Sequence, residues 1–251
     1  MTLTGPLKLS ESAGAYAIFI AKAFRSVGEV AVFKKSLMRQ LLHIGVESIP
    51  VIILASAFAG VVLTVQTAYQ LQNTVLSEDT IGSAVIPTLM LEMAALVPAL
   101  VLASKIGASI AAEIGTMRVT EQIDALESMG INSIGYLVLP RIVAGTLMFP
   151  AIYVVSVVVS VVAGGFAGEY LGYLSFEAFI RGGREFFQPF DVYYGMTKMI
   201  AFGYLITSIA CWKGFTTQGG ADGVGRSTTS AVVVSCVNIL FADYVLAELL
   251  L

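Results

Sequence analysis

Long runs without a charged residue are the feature that most constrains this chain. Residues 48–77 and 142–168 contain no Asp, Glu, Lys or Arg. A transmembrane helix needs roughly 20 mostly apolar residues to cross about 30 Å of hydrocarbon, so each run can span a bilayer. Three further runs carry only one or two charges, over residues 80–104, 192–212 and 227–251. The pattern predicts five transmembrane helices, over residues of about 48–72, 82–110, 136–163, 193–213 and 227–249.

The composition agrees with a membrane protein. Hydrophobic residues make up 57% of the chain and charged residues 12%, and the mean hydropathy is +0.86. Soluble domains carry about 25% charged residues, and a chain with so few could not cover its surface in water. No linker, low-complexity tract or internal repeat divides the sequence. We therefore expect an all-α membrane protein with one domain over residues 1–251.

The region before the first run has a different pattern. Residues 13–21 are apolar but too short to span, and "AKA" at 21–23 resembles a signal-peptidase site. Residues 11–40, however, have the pattern of an amphipathic helix. Its basic residues are Lys22, Arg25, Lys34, Lys35 and Arg39. Basic amphipathic helices bind the surface of an anionic leaflet, so we favour an interfacial helix over a cleaved signal peptide.

The distribution of Lys and Arg predicts the orientation. Six of the 14 lie before the first span, three lie in or beside the connection between spans 2 and 3, and two lie in or beside the connection between spans 4 and 5. The loop on the opposite side, between spans 3 and 4, has only Arg181 and Arg184. Cytoplasmic loops carry the excess of basic residues. We therefore expect a cytoplasmic N-terminus and, with five spans, a C-terminus on the other side.

Three charged residues lie inside the apolar runs and away from their ends: Glu92, Lys198 and Asp243. Such groups are costly at membrane depth and usually face a bundle interior or a wet cavity. A Glu92–Lys198 ion pair between two helices is one interpretation, and a cavity wall that handles a lipid headgroup or a proton is the other. Asp243 lies nearer the external end, where we expect a packing or interfacial group. Gln66 is either a helix–helix hydrogen-bond partner or a cavity group.

A polar stretch over residues 111–132 interrupts the apolar runs. Its charged residues between positions 113 and 127 give a net charge of about −3 by formal counting, and they are Glu113, Arg118, Glu121, Asp124 and Glu127. Bilayer-surface helices are usually basic because the cytoplasmic leaflet is negative. An acidic helix is therefore better suited to a protein partner. We expect Gly115 to end the preceding span and Thr116 to cap the new helix.

The remaining chemistry-bearing residues are few. His43 is the only histidine, and one histidine forms neither a metal cage nor a Ser-His-Asp site. Cys211 and Cys236 lie in apolar spans, where packing is the usual role. The glycine-rich loop over 219–229 has Arg226 where a P-loop has lysine. We interpret it as a turn, with Ser227 or Thr228 capping the last span, and we expect no catalysis, nucleotide site, cofactor or metal on this chain.

Residues 113–132, "EIGTMRVTEQIDALESMGIN", followed by "YLVLPRIVAG", closely resemble the signature of MlaE-type (YrbE-like) permeases. These are membrane subunits of ABC transporters that work with MCE proteins on phospholipids. The resemblance continues in "GVVLTVQ" (60–66), "LVLASKIGASIAAE" (100–113), "MTKMIAFG" (196–203) and "GADGVGRSTTSAVVVS" (220–235). Two segments depart from the family pattern. Arg-Glu-Leu-Gly-Pro is Leu-Glu-Met-Ala-Ala at 91–95, and Ala-Gly-Arg is Ala-Ser-Lys at 103–105.

The resemblance implies a phospholipid permease in the bacterial inner membrane that serves outer-membrane lipid asymmetry. It implies a homodimer with a cytoplasmic ABC ATPase, which binds the ATP and Mg, and a periplasmic MCE hexamer. A STAS-domain regulatory protein is a further possible partner, and nucleic acid is not expected. The residues implied in ATPase coupling are Glu113, Thr116, Arg118, Glu121, Gln122, Asp124, Leu126 and Glu127. The residues implied in lipid binding are Val62, Val65, Gln66, Tyr69, Glu92 and Lys198.

Two other functions are compatible with the residues. One is a proton-coupled secondary transporter that uses Glu92 as its proton carrier, although five spans without a repeat lack the paired architecture usual in that class. The other is a structural membrane anchor of an envelope complex, which would tolerate changes at Glu92 and Gln66.

Overall fold

The computed structural model describes residues 4–25, 34–71 and 79–250, with side chains from residue 14 onward. Within these ranges the regular elements are all helical. The N-terminal helices are α1 (Thr4–Arg25), α2 (Lys34–Ile44) and α3 (Ile49–Leu71). They are followed by α4 (Asp79–Thr88), α5 (Ala94–Leu102), α6 (Ala108–Val119), α7 (Gln122–Ser128) and α8 (Ser133–Leu137). The chain ends with α9 (Leu139–Tyr170), α10 (Phe176–Glu185), α11 (Pro189–Phe215) and α12 (Gly220–Leu250).

Four helical segments of the described chain are long and apolar enough to cross a membrane. They are Lys34–Leu71, Asp79–Val119, Ser133–Tyr170 and Gly220–Leu250. The remaining predicted span, over 193–213, lies within α11. That helix has 27 residues, about 40 Å at 1.5 Å per residue, but Lys198 lowers its hydropathy and it is not among the four. Over the residues that it describes, the structure therefore confirms an all-helical fold with four apolar segments of membrane-spanning length.

The helix over the second predicted span is not a regular α-helix. Two π-helical segments interrupt it, Leu89–Met93 between α4 and α5 and Ala103–Gly107 between α5 and α6. Pro87 and Pro98 lie on either side of the first segment. A proline removes one helical hydrogen bond, and a π turn, with its wider ring, is common near functional sites.

The chain divides into two compact units. The first contains the described residues within Met1–Leu42, Ala103–Gly145 and Tyr204–Val237. Here α1 is attached through aromatic contacts, because the Phe19 ring lies 5.1 Å from that of Trp212 and 5.4 Å from that of Phe215. The predicted interfacial helix over 11–40 corresponds to α1 and α2, and its residues 26–33 lie outside the described residues.

The second unit contains the described residues within His43–Leu102, Thr146–Gly203 and Asn238–Leu251. In it α3 and α9 cross closely. A Cβ atom at Gly60 would collide with the backbone carbonyl of Ser160, and Ser56 Oγ donates a hydrogen bond of 2.8 Å to Ser156 Oγ. Small residues at such crossings let membrane helices approach, and hydroxyl groups link them.

The prediction of helix starts at Thr116 and at Ser227 or Thr228 was wrong. Helix α6 continues through Gly115 and Thr116 to Val119, because Gly115 serves close packing: a Cβ there would lie 3.0 Å from Thr217 Oγ1. At the last span, Gly219 and Gly220 have positive φ angles and form the turn themselves. Helix α12 therefore begins at Gly220, and Thr228 donates to the Val224 carbonyl inside the helix.

Candidate functional site

A buried ion cluster joins three helical segments of the second unit. Lys198 Nζ of α11 lies 2.7 Å from Glu92 Oε1 in the first π segment and 2.7 Å from Asp243 Oδ1 of α12. The Lys198 side chain is 0% exposed, that of Asp243 15% and that of Glu92 35%. Of the two interpretations of Glu92 and Lys198, the ion pair between two helices is present in the structure. Sequence reasoning missed that Asp243 is its third member, because α12 alone does not reveal which helix it contacts.

Besides the two carboxyl groups, neutral groups also lie close to the ammonium of Lys198. The Leu91 carbonyl accepts a hydrogen bond from Nζ at 3.4 Å, and Nζ lies 4.7 Å from the centre of the Tyr194 ring. The Tyr153 hydroxyl donates to the Met90 carbonyl at 2.7 Å. Two successive carbonyls of the π segment are therefore held by side chains from α9 and α11, which fixes the backbone beside Glu92.

A groove of about 420 Å³ lies along α3 and the start of α5. Pockets of small-molecule ligands typically have about 300–1,000 Å³. Gln66 supplies the polar side chain of its lining, and the rest is apolar. The lining residues are Ala55, Phe58, Ala59, Val62, Leu63, Gln66, Met93 and Val97.

Of the residues implied in lipid binding, two line the groove and two belong to the ion cluster. Val62 and Gln66 line the groove. Glu92 and Lys198 belong to the ion cluster, and the groove wall at Met93 is the next residue along the chain from Glu92. The other two, Val65 and Tyr69, lie on α3 outside the groove lining, Val65 half-buried and Tyr69 exposed.

In the first unit the polar stretch folds into two helices, and one of the two residues between them has an unusual backbone. Glu121 has a φ of 59°, between the end of α6 and the start of α7. Such a left-handed conformation is uncommon outside glycine and breaks a helix. Ile123 is fully buried and anchors α7, whereas Asp124 is exposed. The acidic helix that was expected to begin at Thr116 is therefore divided between α6 and α7.

Polar contacts hold both ends of α7. Arg118 Nη1 lies 2.6 Å from Asp124 Oδ1, and the Arg118 guanidinium also lies 6.0 Å from the centre of the Phe215 ring. At the other end, Ser133 Oγ donates a hydrogen bond of 2.5 Å to Glu127 Oε1. The helix is thus short, fixed in direction and acidic. Of the residues implied in coupling, Leu126 and Arg118 are half-buried, and the exposed ones are Glu113, Thr116, Glu121, Gln122, Asp124 and Glu127.

Glu113 has a structural partner that sequence reasoning missed. Its Oε2 atom lies 2.9 Å from Nη2 of Arg141, whose side chain is only 9% exposed. Arg141 Nη1 also donates to the Leu137 carbonyl at 2.6 Å. The signal was present in the sequence, since an arginine inside "YLVLPRIVAG" needs a counter-charge when it is buried.

The residues predicted to have packing roles are accounted for locally. Cys211 is buried, Cys236 is half-buried, and both are free thiols. His43 Nδ1 lies 2.7 Å from Glu47 Oε2. Among the residues that the structure describes, no group of three His, Cys, Asp or Glu side chains has a metal-binding arrangement.

Comparison with known proteins assigns the family. The profile of the family described as Permease MlaE matches residues 37–249. A probable ABC transporter permease protein of Rickettsia bellii is 37% identical over 243 residues, 97% of this chain and 93% of its own length. A probable ABC transporter permease protein of Synechocystis is 36% identical over 217 residues, covering 86% and 82%. The chloroplastic protein TRIGALACTOSYLDIACYLGLYCEROL 1 of Arabidopsis thaliana is 34% identical over 214 residues, covering 85% and 61%.

The family match covers both the ion cluster and the acidic helix, and the relatives match along most of this chain. With its long apolar helices, the chain is a multi-pass membrane protein that belongs to the MlaE family of ABC transporter permeases.

Proposed function

We propose that this chain is the non-catalytic permease subunit of a transporter that moves phospholipids between the bacterial inner membrane and the outer envelope. Two copies would form the membrane unit, and a separate cytoplasmic ATPase would bind the ATP and Mg. A periplasmic MCE hexamer would exchange lipid at the outer face, and a STAS-domain protein would be a regulatory partner. Membership in an ABC permease family favours this function over a secondary transporter or a structural anchor.

The observation that carries the proposal is the geometry of α7. A permease that does not hydrolyse ATP needs a rigid element that transmits movement from its ATPase. Helix α7 is exposed and acidic, Ile123 anchors it, and ion pairing to Arg118 fixes its direction. Lipid would repel its carboxylates, whereas a groove with basic residues on a protein would attract them.

The groove beside Gln66 fits the substrate side of the proposal. Its apolar lining suits acyl chains, and Gln66 offers an amide to a polar headgroup. The groove opens along α3, so a second copy of the chain or a lipid would cover it. The absence of an arginine next to Glu92, where the chain has Leu91, means that a lipid phosphate must find its contacts elsewhere.

The proposed topology has five spans, with α11 as the fourth. It places the N-terminus, α1 and α7 in the cytoplasm and the C-terminus in the periplasm. The basic residues before span 1 and around α7 support this orientation. Exposed aromatic residues near α10, among them Tyr170, Phe186 and Phe187, suit the opposite membrane interface.

Charge reversal on α7 tests the proposal. We expect Glu121→Lys with Asp124→Lys to abolish co-purification of the ATPase from the native host while the chain still inserts in the membrane. Glu177→Lys is the control, because Glu177 is an exposed carboxylate on α10, outside the acidic helix. Unchanged ATPase recovery with the double variant would refute the docking role of α7.

A further inference from the structure

We propose that Glu92, Lys198 and Asp243 form a proton-binding site that holds one proton between its two carboxyl groups. All three side chains belong to this chain, so the site can be tested on the purified chain without its ATPase. In this site Lys198 balances the charge of one carboxyl group, and the proton neutralises the other.

The charge count leads to this inference. Two carboxylates and one ammonium leave one negative charge when all three groups are ionised. Among the described residues, the other side chains next to the cluster are the phenols of Tyr194 and Tyr153, and the Tyr153 hydroxyl also lies 3.5 Å from the backbone carbonyl of Asp191. Lys198 is therefore the one cation of this set. An uncompensated charge at membrane depth costs several kcal/mol, and binding of a proton removes that cost.

The positions of the oxygen atoms also indicate a missing hydrogen. Glu92 Oε2 is buried and accepts no hydrogen bond among the described residues, whereas Asp243 Oδ1 contacts Lys198 Nζ at 2.7 Å. Tyr194 is 1% exposed, and Lys198 Nζ lies over its ring. Because both carboxyl groups contact the same nitrogen at 2.7 Å, they are close neighbours. Two carboxyl groups that share a site retain one proton between them. That proton gives one carboxyl group an O–H that can donate a hydrogen bond to the other.

The site adjoins the groove. Glu92 and Met93 are consecutive in the π segment, and Met93 forms part of the groove wall. Glu92 is the most exposed member of the cluster, so it is the group through which the proton exchanges.

Infrared spectroscopy of the purified chain tests the proposal. In a detergent without carbonyl groups, we expect a carboxylic-acid C=O band at neutral pH that shifts in D₂O. The band is lost in both Glu92→Gln and Asp243→Asn, because each variant leaves one carboxylate opposite Lys198. Glu177→Gln, on the exposed face of α10, keeps the band. A spectrum whose carboxylic-acid region is the same in all four proteins would overturn the proposal.

Thermal unfolding provides a second test that does not need the band. Each single variant keeps a neutral cluster, so we expect its midpoint to stay near that of the unmodified chain. The double variant Glu92→Gln/Asp243→Asn leaves Lys198 buried and unpaired, and we expect a much larger fall in its midpoint. If either single variant falls as far as the double variant, both carboxylates are needed in ionised form and the proton site is refuted.

Discussion

Arg118 and Asp124 lie on opposite sides of the backbone break at Glu121, and their side chains meet at 2.6 Å. Arg118 belongs to α6, the end of a long apolar helix, whereas Asp124 belongs to α7. The ion pair thus ties the direction of the short acidic helix to that of the span before it. Movement of one helix should be transmitted to the other through this contact and the short backbone between them.

Replacement of Arg118 tests this link. We expect Arg118→Ala to lower ATPase recovery several-fold, because α7 loses one of its two polar attachments. The unfolding midpoint should change little, since exposed ion pairs contribute about 0–1 kcal/mol. Co-purification and thermal unfolding of the same preparation measure the two effects. The exchanged pair Arg118→Asp/Asp124→Arg should restore part of the recovery, and failure of both variants to affect it would argue against a transmitting role.

The close crossing of α3 and α9 predicts that a larger side chain at Gly60 destabilises the chain. Gly60→Leu should destabilise the chain by at least about 1–3 kcal/mol, the usual cost of overpacking, because the new side chain meets the Ser160 backbone. The unfolding midpoint in detergent measures the loss. Ala151→Leu, at an exposed position of α9, is the control and should leave the midpoint unchanged.

The groove can be filled without disturbing the core. Val62 is exposed on α3 and lines the groove, so Val62→Trp should reduce the phospholipid that co-purifies with the chain at least several-fold. Mass spectrometry of extracted lipid, normalised to protein, gives the ratio. Val158→Trp, at an exposed position of α9, should keep the ratio of the unmodified chain. Equal ratios in the two variants would show that lipid binds elsewhere.

The Glu113–Arg141 pair predicts an effect on stability that is separate from docking. Glu113→Gln leaves the Arg141 guanidinium without its counter-charge. Breaking a buried pair costs about 3–5 kcal/mol, and we expect about 1–2 kcal/mol here because Glu113 is 44% exposed. The double variant Glu113→Gln/Arg141→Met should recover much of the loss, since no charge stays buried. Thermal unfolding of the double-mutant cycle measures this, and a double variant less stable than Glu113→Gln would contradict it.

Hydrophobicity predicted the helices more accurately than their ends. The apolar runs located α3, α9 and α12 because a bilayer-length helix needs only a long uncharged sequence. The helix starts at Thr116 and Ser227 were wrong because local capping preferences do not include tertiary packing. Gly115 looks like a helix end in the sequence, but its missing side chain makes room for Thr217.

Members of the candidate site could be predicted where a charged residue interrupts an apolar run. Glu92 and Lys198 stand out as charges in apolar runs, and they are paired. Asp243 gave the same signal, but its distance along the chain from Lys198 conceals the contact. The two π segments had no signal beyond the neighbouring prolines, because a π turn depends on which carbonyls find partners on other helices.

Those π segments set the rotational phase of the second span. A π turn accommodates one more residue than an α turn in the same place. If Leu89–Met93 kept all its residues but adopted α-helical geometry, every side chain beyond it would therefore turn by about 100° relative to those before it. Val97, which lies beyond the segment, would turn away from the groove that it lines with residues of α3. The segment Leu89–Met93 therefore sets a fixed angle between the side chains of α4 and those of α5.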